Sequence, residues 1–302
     1  SGGVTTLAAD PIATTDQSSV ITITHTSHKF IQGEDIIIGG STAVNNINAD
    51  YINIVSGIVS IVDANSYTVN LETTVTSDSL LLNYEAWNYS GSGNWLNQVN
   101  TLNNPGVIDA GSSITYNSSG IKSFVFDAVD NKRINCGDVD LLQDWSFEIW
   151  VKFTDLGATV EGLIGHGIKS GSNGLHIQVF DTGQQSRFGL YSDDLDVTFT
   201  TALVEDEWVH LVYAYSHTTY KKKIYLNGVK QGDSVAGSQG AYERPTDELS
   251  IGSTYSPGTN GDELDGEIAV VRMYTKVLSS SEILANYNAG YPNRIATSAG
   301  SG

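Results

Sequence analysis

The sequence predicts an all-β protein: a small N-terminal β-barrel or sandwich module, then a larger antiparallel two-sheet sandwich with one short C-terminal helix. Short runs rich in β-branched and aromatic residues alternate apolar and polar side chains, which is typical of strands. In the second part these runs recur roughly every 8–12 residues between polar turns. The chain has 302 residues, which exceeds a typical single domain, so two domains are expected.

The composition excludes several classes of protein. The chain has 34 acidic and 15 basic residues, a net charge of −19, so its surface repels nucleic acids and anionic membranes. The single cysteine, Cys136, excludes an intramolecular disulfide framework. No apolar run approaches the roughly 20 residues that a membrane-spanning helix needs. We therefore expect neither nucleic-acid nor membrane partners.

The N-terminal part divides into an arm and a module. Residues 1–19 have almost no periodicity and are predicted to be an extended arm. Residues 20–85 contain short alternating runs and no helical period, which predicts the small β-module. Its predicted strands are Val20–Thr24, Asp35–Ile38, Tyr51–Val55, Ile58–Val62 and Tyr67–Leu71.

Two sequence motifs in this module, THTSHKFIQGED and VDANSYTVNL, resemble a small β-module that recurs in phage virion and tail-associated proteins. The resemblance implies a role in assembly. His25 and His28, spaced three apart in the first motif, are a candidate metal pair. A zinc site needs three or four converging ligands, and no third histidine or cysteine lies nearby. A structural role for both histidines is therefore favoured.

The larger domain is predicted over residues 86–292, with residues 293–302 as a flexible tail. Asn227–Gly228 indicates a type I′ turn, because both central positions need positive φ. The predicted strands are Ser123–Phe126, Arg133–Cys136, Ser146–Phe153, Gly162–His166, Gly174–Phe180, Arg187–Tyr191, Val197–Thr200, Trp208–Tyr215, Lys222–Leu226, Glu248–Ile251 and Gly266–Tyr274.

After the last strand, apolar residues recur at helical spacing instead of at every second position. Ser279 and Glu282 form a capping box, which predicts the start of a helix. Gly290 occupies the position of a C-cap, and Pro292 prevents continuation. The sequence therefore predicts one short helix at the end of the domain.

Three motifs of this domain occur in the order of the laminin-G-like, concanavalin-A-type lectin fold, which they resemble. They are SFEIWVKF (146–153), the pair EWVHLVY and KIYLNGVK (207–213 and 223–230), and VRMYTKVLSSSEI (271–283). The resemblance implies a jelly-roll sandwich and a structural role for His210. This fold includes binding proteins, enzymes and structural modules, so the resemblance leaves the function open.

One run has the spacing of a catalytic site. Glu263, Asp265 and Glu267 resemble the carboxylates of laminarinase-type glucanases, which act as nucleophile, helper and general acid on one strand face. Here Gly266 interrupts the alternation and the apolar run begins only at Ile268. A solvated acidic turn is therefore favoured, and no enzymatic activity is predicted.

The other kind of site that the sequence suggests is one that binds sugar or calcium. Trp87 and Trp95 flank a Gly/Ser turn, either as a platform that stacks on sugar or as a buried first hairpin. Laminin-G and pentraxin relatives bind Ca²⁺ at one rim, which makes Asp127, Asp130, Asp193 and Asp194 the candidate metal ligands. The alternative is that these aspartates lie in ordinary solvated loops. The run Lys221–Lys223 is predicted to be a solvated hairpin edge.

The resemblances together predict a non-enzymatic structural protein of the virion surface or the extracellular space, of the phage decoration, fibre or adhesin type. Its N-terminal part is expected to assemble with further copies of the chain and with other virion proteins, and its lectin-like domain to face outward. The alternative is a carbohydrate-binding module that recognises cell-surface glycans, with Ca²⁺ dependence. A glycoside hydrolase using the three carboxylates is the third hypothesis.

Overall fold

A computed structural model describes residues 7, 11–13, 20–31, 35–37, 56–70, 77–108, 113–128, 133–157, 160–235, 240–243, 246–254 and 262–289. The chain divides into two compact units: Ser1–Thr74 with Asn288–Gly302, and Val75–Tyr287. Both are built from antiparallel strands, which confirms the all-β prediction. No helix in these ranges has the length and hydropathy to cross a bilayer.

The first unit contains one five-stranded sheet. Its described strands run in the order β1-β2-β5-β4-β3, all antiparallel, and they form an open sheet rather than a closed barrel. The predicted strand Tyr51–Val55 lies outside the described residues. The strands are β1 (Ile12–Ala13), β2 (Val20–Thr24), β3 (Asp35–Ile37), β4 (Ser56–Asp63) and β5 (Ser66–Asn70).

Side chains from the two sequence motifs of this module, THTSHKFIQGED and VDANSYTVNL, pack together in one aromatic cluster. The His28 ring stacks on Phe30 at 5.6 Å, and Tyr67 meets both rings edge-on at 5.1 Å. His28 Nδ1 accepts a hydrogen bond from Phe30 N at 3.0 Å, so its Nε2 holds the proton and donates to Asp63 O at 2.9 Å. Both ring nitrogens of His28 are thus bonded to backbone, as its predicted structural role requires.

The second unit is a two-sheet sandwich. A 3-10 helix (Ala86–Asn88) follows its first strand, and helix α1 (Ser280–Asn288) closes it. Its strands are β6 (Leu80–Glu85), β7 (Val107–Ile108), β8 (Thr115–Asn117), β9 (Ser123–Asp127), β10 (Ile134–Asp140), β11 (Trp145–Phe153), β12 (Glu161–Gly167), β13 (Gly174–Phe180), β14 (Gln185–Gly189), β15 (Asp194–Thr198), β16 (Trp208–Ser216), β17 (Lys221–Leu226), β18 (Val229–Asp233), β19 (Thr246–Ile251) and β20 (Asp265–Tyr274).

The two sheets differ in size. The smaller has the order β15-β14-β13-β12-β19-β10-β7, and the larger has the order β18-β17-β16-β11-β20-β9-β8 with β6 also paired to β20. All eleven strands predicted for this domain are present, and β18 follows the predicted turn at Asn227–Gly228, where both residues have positive φ. Strands β6, β7 and β8 were not predicted. Strand β6 pairs with the sandwich although the predicted boundary lies after it, at residue 86.

Strand β20 is the centre of the larger sheet. It pairs with β11 along one side and with β9 and then β6 along the other. It begins at Asp265, so the expectation that the acidic run precedes the strand is wrong for Asp265 and Glu267. Gly266 permits this start, because a Cβ at that position would lie 2.3 Å from Lys152 O. Gly266 therefore allows β20 to pair closely with β11, and it does not interrupt the strand.

The predicted capping box begins helix α1. Glu282 Oε2 accepts from Ser279 N at 2.8 Å, while Glu282 N donates to Ser279 Oγ at 3.2 Å. Ile283 then packs with Val212, Tyr225 and other buried residues against the outer face of the larger sheet. The predicted C-cap, Gly290, lies outside the described residues.

A buried polar cluster lies between this helix and the sheet. Arg272 Nη1 donates to Glu148 Oε1 at 2.6 Å, and Asn286 Nδ2 donates to Glu148 Oε2 at 2.6 Å. Tyr274 donates to the same Oε2 at 3.2 Å, and His210 Nε2 lies 3.4 Å from Oε1. Burial opposes ionisation of Glu148, but Arg272 and His210 lower its pKa to about 2. The cluster therefore joins β11, β16, β20 and α1.

The opposite side of Arg272 connects the same cluster to β6. Its Nη2 donates to Glu85 Oε1 at 2.8 Å, and its Nε donates to Asn83 Oδ1 at 3.1 Å. A planar guanidinium directs N–H groups from three separate nitrogens towards both flanking strands, whereas the three donors of an ammonium group share one nitrogen. Arg272 thus fixes β6 against β20.

We expect Arg272→Met to lower the free energy of unfolding by about 3–5 kcal/mol, because Glu148 is then buried without its cation. Lys276→Met is the matched control, since Lys276 also pairs with two carboxylates but at the surface. Its loss is expected to be below about 1 kcal/mol. Urea unfolding at pH 7 measures both, and equal losses would contradict a special role for the buried pair.

The pKa of Glu148 also predicts a loss of stability in acid. The folded value of about 2 lies below the ordinary 4.5, so the stabilisation is complete above pH 4.5 and is lost as pH falls towards 2. The stability gap between the natural protein and Glu148→Gln should therefore shrink by about 2 kcal/mol between pH 7 and pH 3. Urea titrations at both pH values test this, and a constant gap would refute it.

Candidate ligand-binding site

A row of outward-facing side chains crosses the larger sheet near the start of β20. Lys152 on β11 is directly opposite Trp208 on β16 and Glu267 on β20. Glu267 in turn is opposite Val125 on β9, which pairs with Thr115 on β8. We call these five residues the cross-strand row. They face outward because the alternate residues of β11, among them Val151 and Phe153, lie in the core.

Three residues of the row hold one another in place. Lys152 Nζ lies 2.8 Å from Glu267 Oε1 and 5.9 Å from the centroid of the Trp208 ring. Glu267 Oε2 accepts hydrogen bonds from Ser123 Oγ and, at 3.4 Å, from Asn117 Nδ2. The Lys152, Glu267 and Trp208 side chains are nevertheless partly exposed. The row therefore offers an aromatic ring beside fixed polar groups.

The ionisation of Glu267 follows from these contacts. Burial alone works to raise its pKa, but the hydrogen bonds from Lys152 and Ser123 lower it below the ordinary value. Both carboxylate oxygens already accept from protein donors. Glu267 is thus an ionised, engaged group.

Two further carboxylates lie beyond the row at the same end of the sheet. Asp265 is directly opposite Asp127 in the pairing of β20 with β9. Burial, together with the negative charges of Asp155 and Asp127, raises the pKa of Asp265. Asp127 Oδ1 accepts from Ser113 Oγ at 2.5 Å. This end of the sheet is consequently acidic.

Glu263 does not continue this line of carboxylates. It forms an isolated bridge with Ser253, which follows β19 of the smaller sheet, whereas Asp265 and Glu267 belong to the larger sheet. Burial raises the pKa of Glu263, and the charge of Asp262 raises it further. Its buried Oε1 has no hydrogen bond in the part of the chain that the structure describes. The three predicted carboxylates therefore do not form one catalytic ladder.

The other predicted metal ligands lie on or beside β15 and already have protein partners. Asp193 Oδ2 accepts from Gly240 N at 2.6 Å and lies 3.5 Å from Lys222 Nζ. Asp194 lies 3.3 Å from His176 Nε2 and 3.5 Å from Arg187 Nε. Protein cations and a backbone amide thus occupy the oxygens that a metal would use.

The candidate calcium ligands do not form one cluster of side chains among the residues that the structure describes, and calcium binding stays a prediction. Ca²⁺ takes six to eight oxygen ligands, but within the described ranges no three carboxylate, imidazole or thiol side chains are placed to share one ion. Asp130, the remaining candidate, lies outside those ranges.

The two predicted tryptophans have different environments. Trp95 is 1% exposed and packs in the core against Tyr84 and Phe124, at 5.4 Å and 4.7 Å between ring centroids. Its ring is thus not available to a sugar, in line with the alternative of a buried hairpin. Trp87 lies in the 3-10 helix, half-buried, beside β20 and β9.

The cross-strand row was not predicted from the sequence, and the predicted exposure of one lysine is wrong. Trp208 and Lys152 occupy outward positions of strands that were predicted correctly, so the phase of the alternation was the available signal. The prediction of a solvated Lys221–Lys223 run is wrong for Lys222, whose side chain is fully buried. Burial lowers the pKa of Lys222 to about 8 although Asp193 lies beside it.

Comparison with known families identifies the domain. A laminin-G-type model, described as the concanavalin A-like lectin/glucanases superfamily, matches residues 127–284, more than half of the chain. The chain belongs to the concanavalin A-like lectin/glucanases superfamily. The matched segment contains Glu148, His210, Arg272 and Tyr274 of the buried polar cluster and three of the five residues of the cross-strand row. No curated protein sequence matches this superfamily member.

Solved structures of the same fold include binding domains. One is domain 4 of AbnA, a GH43 extracellular arabinanase from Geobacillus stearothermophilus, in complex with arabinotriose: 20% identity, TM-score 0.52, covering 68% of this chain and 97% of that domain. Another is the binding domain of botulinum neurotoxin DC with rat synaptotagmin II: 11% identity, TM-score 0.54, covering 70% and 52%.

A third similar structure is of botulinum neurotoxin type C, whose cell entry depends on two ganglioside molecules. It is 12% identical, with a TM-score of 0.52, covering 70% of this chain and 52% of that one. This superfamily member therefore spans about half the length of the two neurotoxin structures. At such identities the likeness shows the fold alone.

Proposed function

We propose that the protein is a non-enzymatic glycan-binding protein of the virion surface or extracellular space, and that its sandwich binds a neutral oligosaccharide at the cross-strand row. The observation that supports this most is the partly exposed Trp208 ring beside the fixed Lys152–Glu267 pair. Sugars present apolar C–H faces to aromatic rings and hydroxyls to charged groups, so this combination suits them.

Charge narrows the class of glycan. The chain has a net charge of −19, and Asp265 and Asp127 lie directly beside the row. Anionic sugars would be repelled by this surface. A neutral oligosaccharide is therefore the ligand class that we propose. The arabinanase domain with arabinotriose supports this choice by fold and by the neutral sugar that it binds.

The state of the carboxylates supports a binding function without hydrolysis. A retaining hydrolase needs a nucleophile with an oxygen facing the substrate, about 5–5.5 Å from a general acid. Asp265 and Glu267 have pKa values shifted in opposite directions, as such pairs do. However, both oxygens of Glu267 are engaged by Lys152 and Ser123, and Glu263 lies on the other sheet. Glu267 is thus not a free nucleophile beside Asp265.

The N-terminal part supports the proposed structural role. Residues 1–19 and the small module precede the sandwich, and the sequence motifs resembling phage virion proteins meet in the His28–Phe30–Tyr67 cluster. We assign assembly with further copies and with virion proteins to this part. The sandwich is the portion displayed outward.

We expect Trp208→Ala to weaken binding of a neutral oligosaccharide by tenfold or more, which corresponds to about 1.4 kcal/mol. A glycan array first identifies the oligosaccharide, and isothermal titration of the full chain then gives Kd. Trp87→Ala is the matched control, since that tryptophan is half-buried but lies outside the row. Binding is expected to be the same in Ca²⁺ and in EDTA.

The outcomes of this titration are distinct. If binding is lost in Trp87→Ala alone, the sugar stacks on Trp87, the tryptophan predicted from the sequence. The cross-strand row would then not be the binding site. No binding to any neutral glycan would overturn the proposed function. Cleavage of the bound sugar that disappears in Glu267→Gln or Asp265→Asn would overturn its non-enzymatic part.

Contrary to the prediction of an arm that orders only against partners, Ile12–Ala13 of this segment forms β1 and pairs with β2. Deleting residues 1–19 should lower the mass of the assembly and leave the melting temperature of the sandwich unchanged, because the segment belongs to the first unit. Light scattering and calorimetry of the full and shortened chains measure both quantities. An unchanged mass would contradict the assembly role of the arm.

A further inference from the structure

We propose that the loop from Trp95 to Gly106 is a self-association surface, through which two copies of the chain meet about a two-fold axis. The loop closes on itself, since Trp95 N donates to Gly106 O at 2.8 Å and Gly106 N donates to Trp95 O at 2.7 Å. It forms a compact surface loop of the Ω type, with its two ends in contact.

The loop is held rigid by a buried amide. Asn97 is 1% exposed, and its Oδ1 accepts from Asn83 N at 2.9 Å and from Val99 N at 3.1 Å. Its Nδ2 donates to Leu81 O at 3.3 Å and to Asn103 O at 3.4 Å. A surface already ordered in the free protein loses little entropy on binding.

Apolar side chains project from this rigid frame. Leu102 is 89% exposed, while Leu96 and Val99 are 42% and 48% exposed. No residue from Ala86 to Ile108 is charged. Exposed apolar side chains on one uncharged loop suit a contact between proteins.

Charge and hydrogen bonding favour a second copy as the partner. With a net charge of −19, two copies repel wherever their acidic faces approach, and a charge-free surface avoids this cost. The exposed polar residues of the loop include the amides Gln98, Asn100 and Asn103. An amide both donates and accepts, so it can pair with its own copy across a two-fold axis, which a carboxylate cannot do.

Sedimentation velocity of the full chain tests this surface. Leu102→Asp should halve the mass of the assembly, because each isologous contact joins two copies. Val235→Asp is the matched control, since Val235 is 74% exposed elsewhere on the sandwich, and its assembly should keep the full mass. Circular dichroism should be the same for all three proteins. Raising the NaCl concentration should strengthen association by screening repulsion.

Leu102→Lys discriminates between partners of different charge. A buried lysine beside its own copy should disrupt the contact as aspartate does, whereas stronger association would show that an acidic surface binds the loop and would overturn the two-fold contact. An unchanged mass in Leu102→Asp, or a natural protein that is monomeric, would also overturn it. Oligosaccharide Kd, measured by titration, should be unchanged in Leu102→Asp, so failure here is separable from failure of the glycan site.

Discussion

The pairing of Glu148 with Arg272 under helix α1 is the interaction on which the sandwich most depends. Two full charges are removed from water there. Their mutual contact and their hydrogen bonds with Asn83, Glu85, Tyr274 and Asn286 compensate for the lost hydration. The pair joins the central strands to the first strand and the last helix. Motifs distant in the sequence are thus one physical unit.

The outer face of the larger sheet has two regions with different roles. Beneath α1 the Glu148 carboxylate is buried and accepts hydrogen bonds from Arg272 and Asn286, and Tyr287 stacks on Trp150 at 5.7 Å between ring centroids. Towards the start of β20, Lys152, Glu267 and Trp208 remain within reach of solvent. The first region stabilises the fold, and the second is the region that we propose as the ligand site.

Much of the fold could be predicted from the sequence, because alternation specifies strands such as β11 and β16 and a capping box specifies α1. Strand β7, with only two residues, is too short to show a period. The candidate site was harder, because Trp208, Lys152 and Glu267 are far apart in the sequence and only strand pairing brings them together. Burial of Lys222 likewise depends on packing from the opposite sheet.

The position of β20 has a consequence for how the protein forms. Its partners precede it by a long stretch of chain: Arg272 bonds Asn83 across 189 positions and Glu148 across 124. During synthesis β6, β9 and β11 are therefore made long before β20, and the edges that pair with β20 stay exposed. Unpaired strand edges promote aggregation. Non-local pairing of this kind slows folding. Closure of the sandwich is consequently a late event in folding.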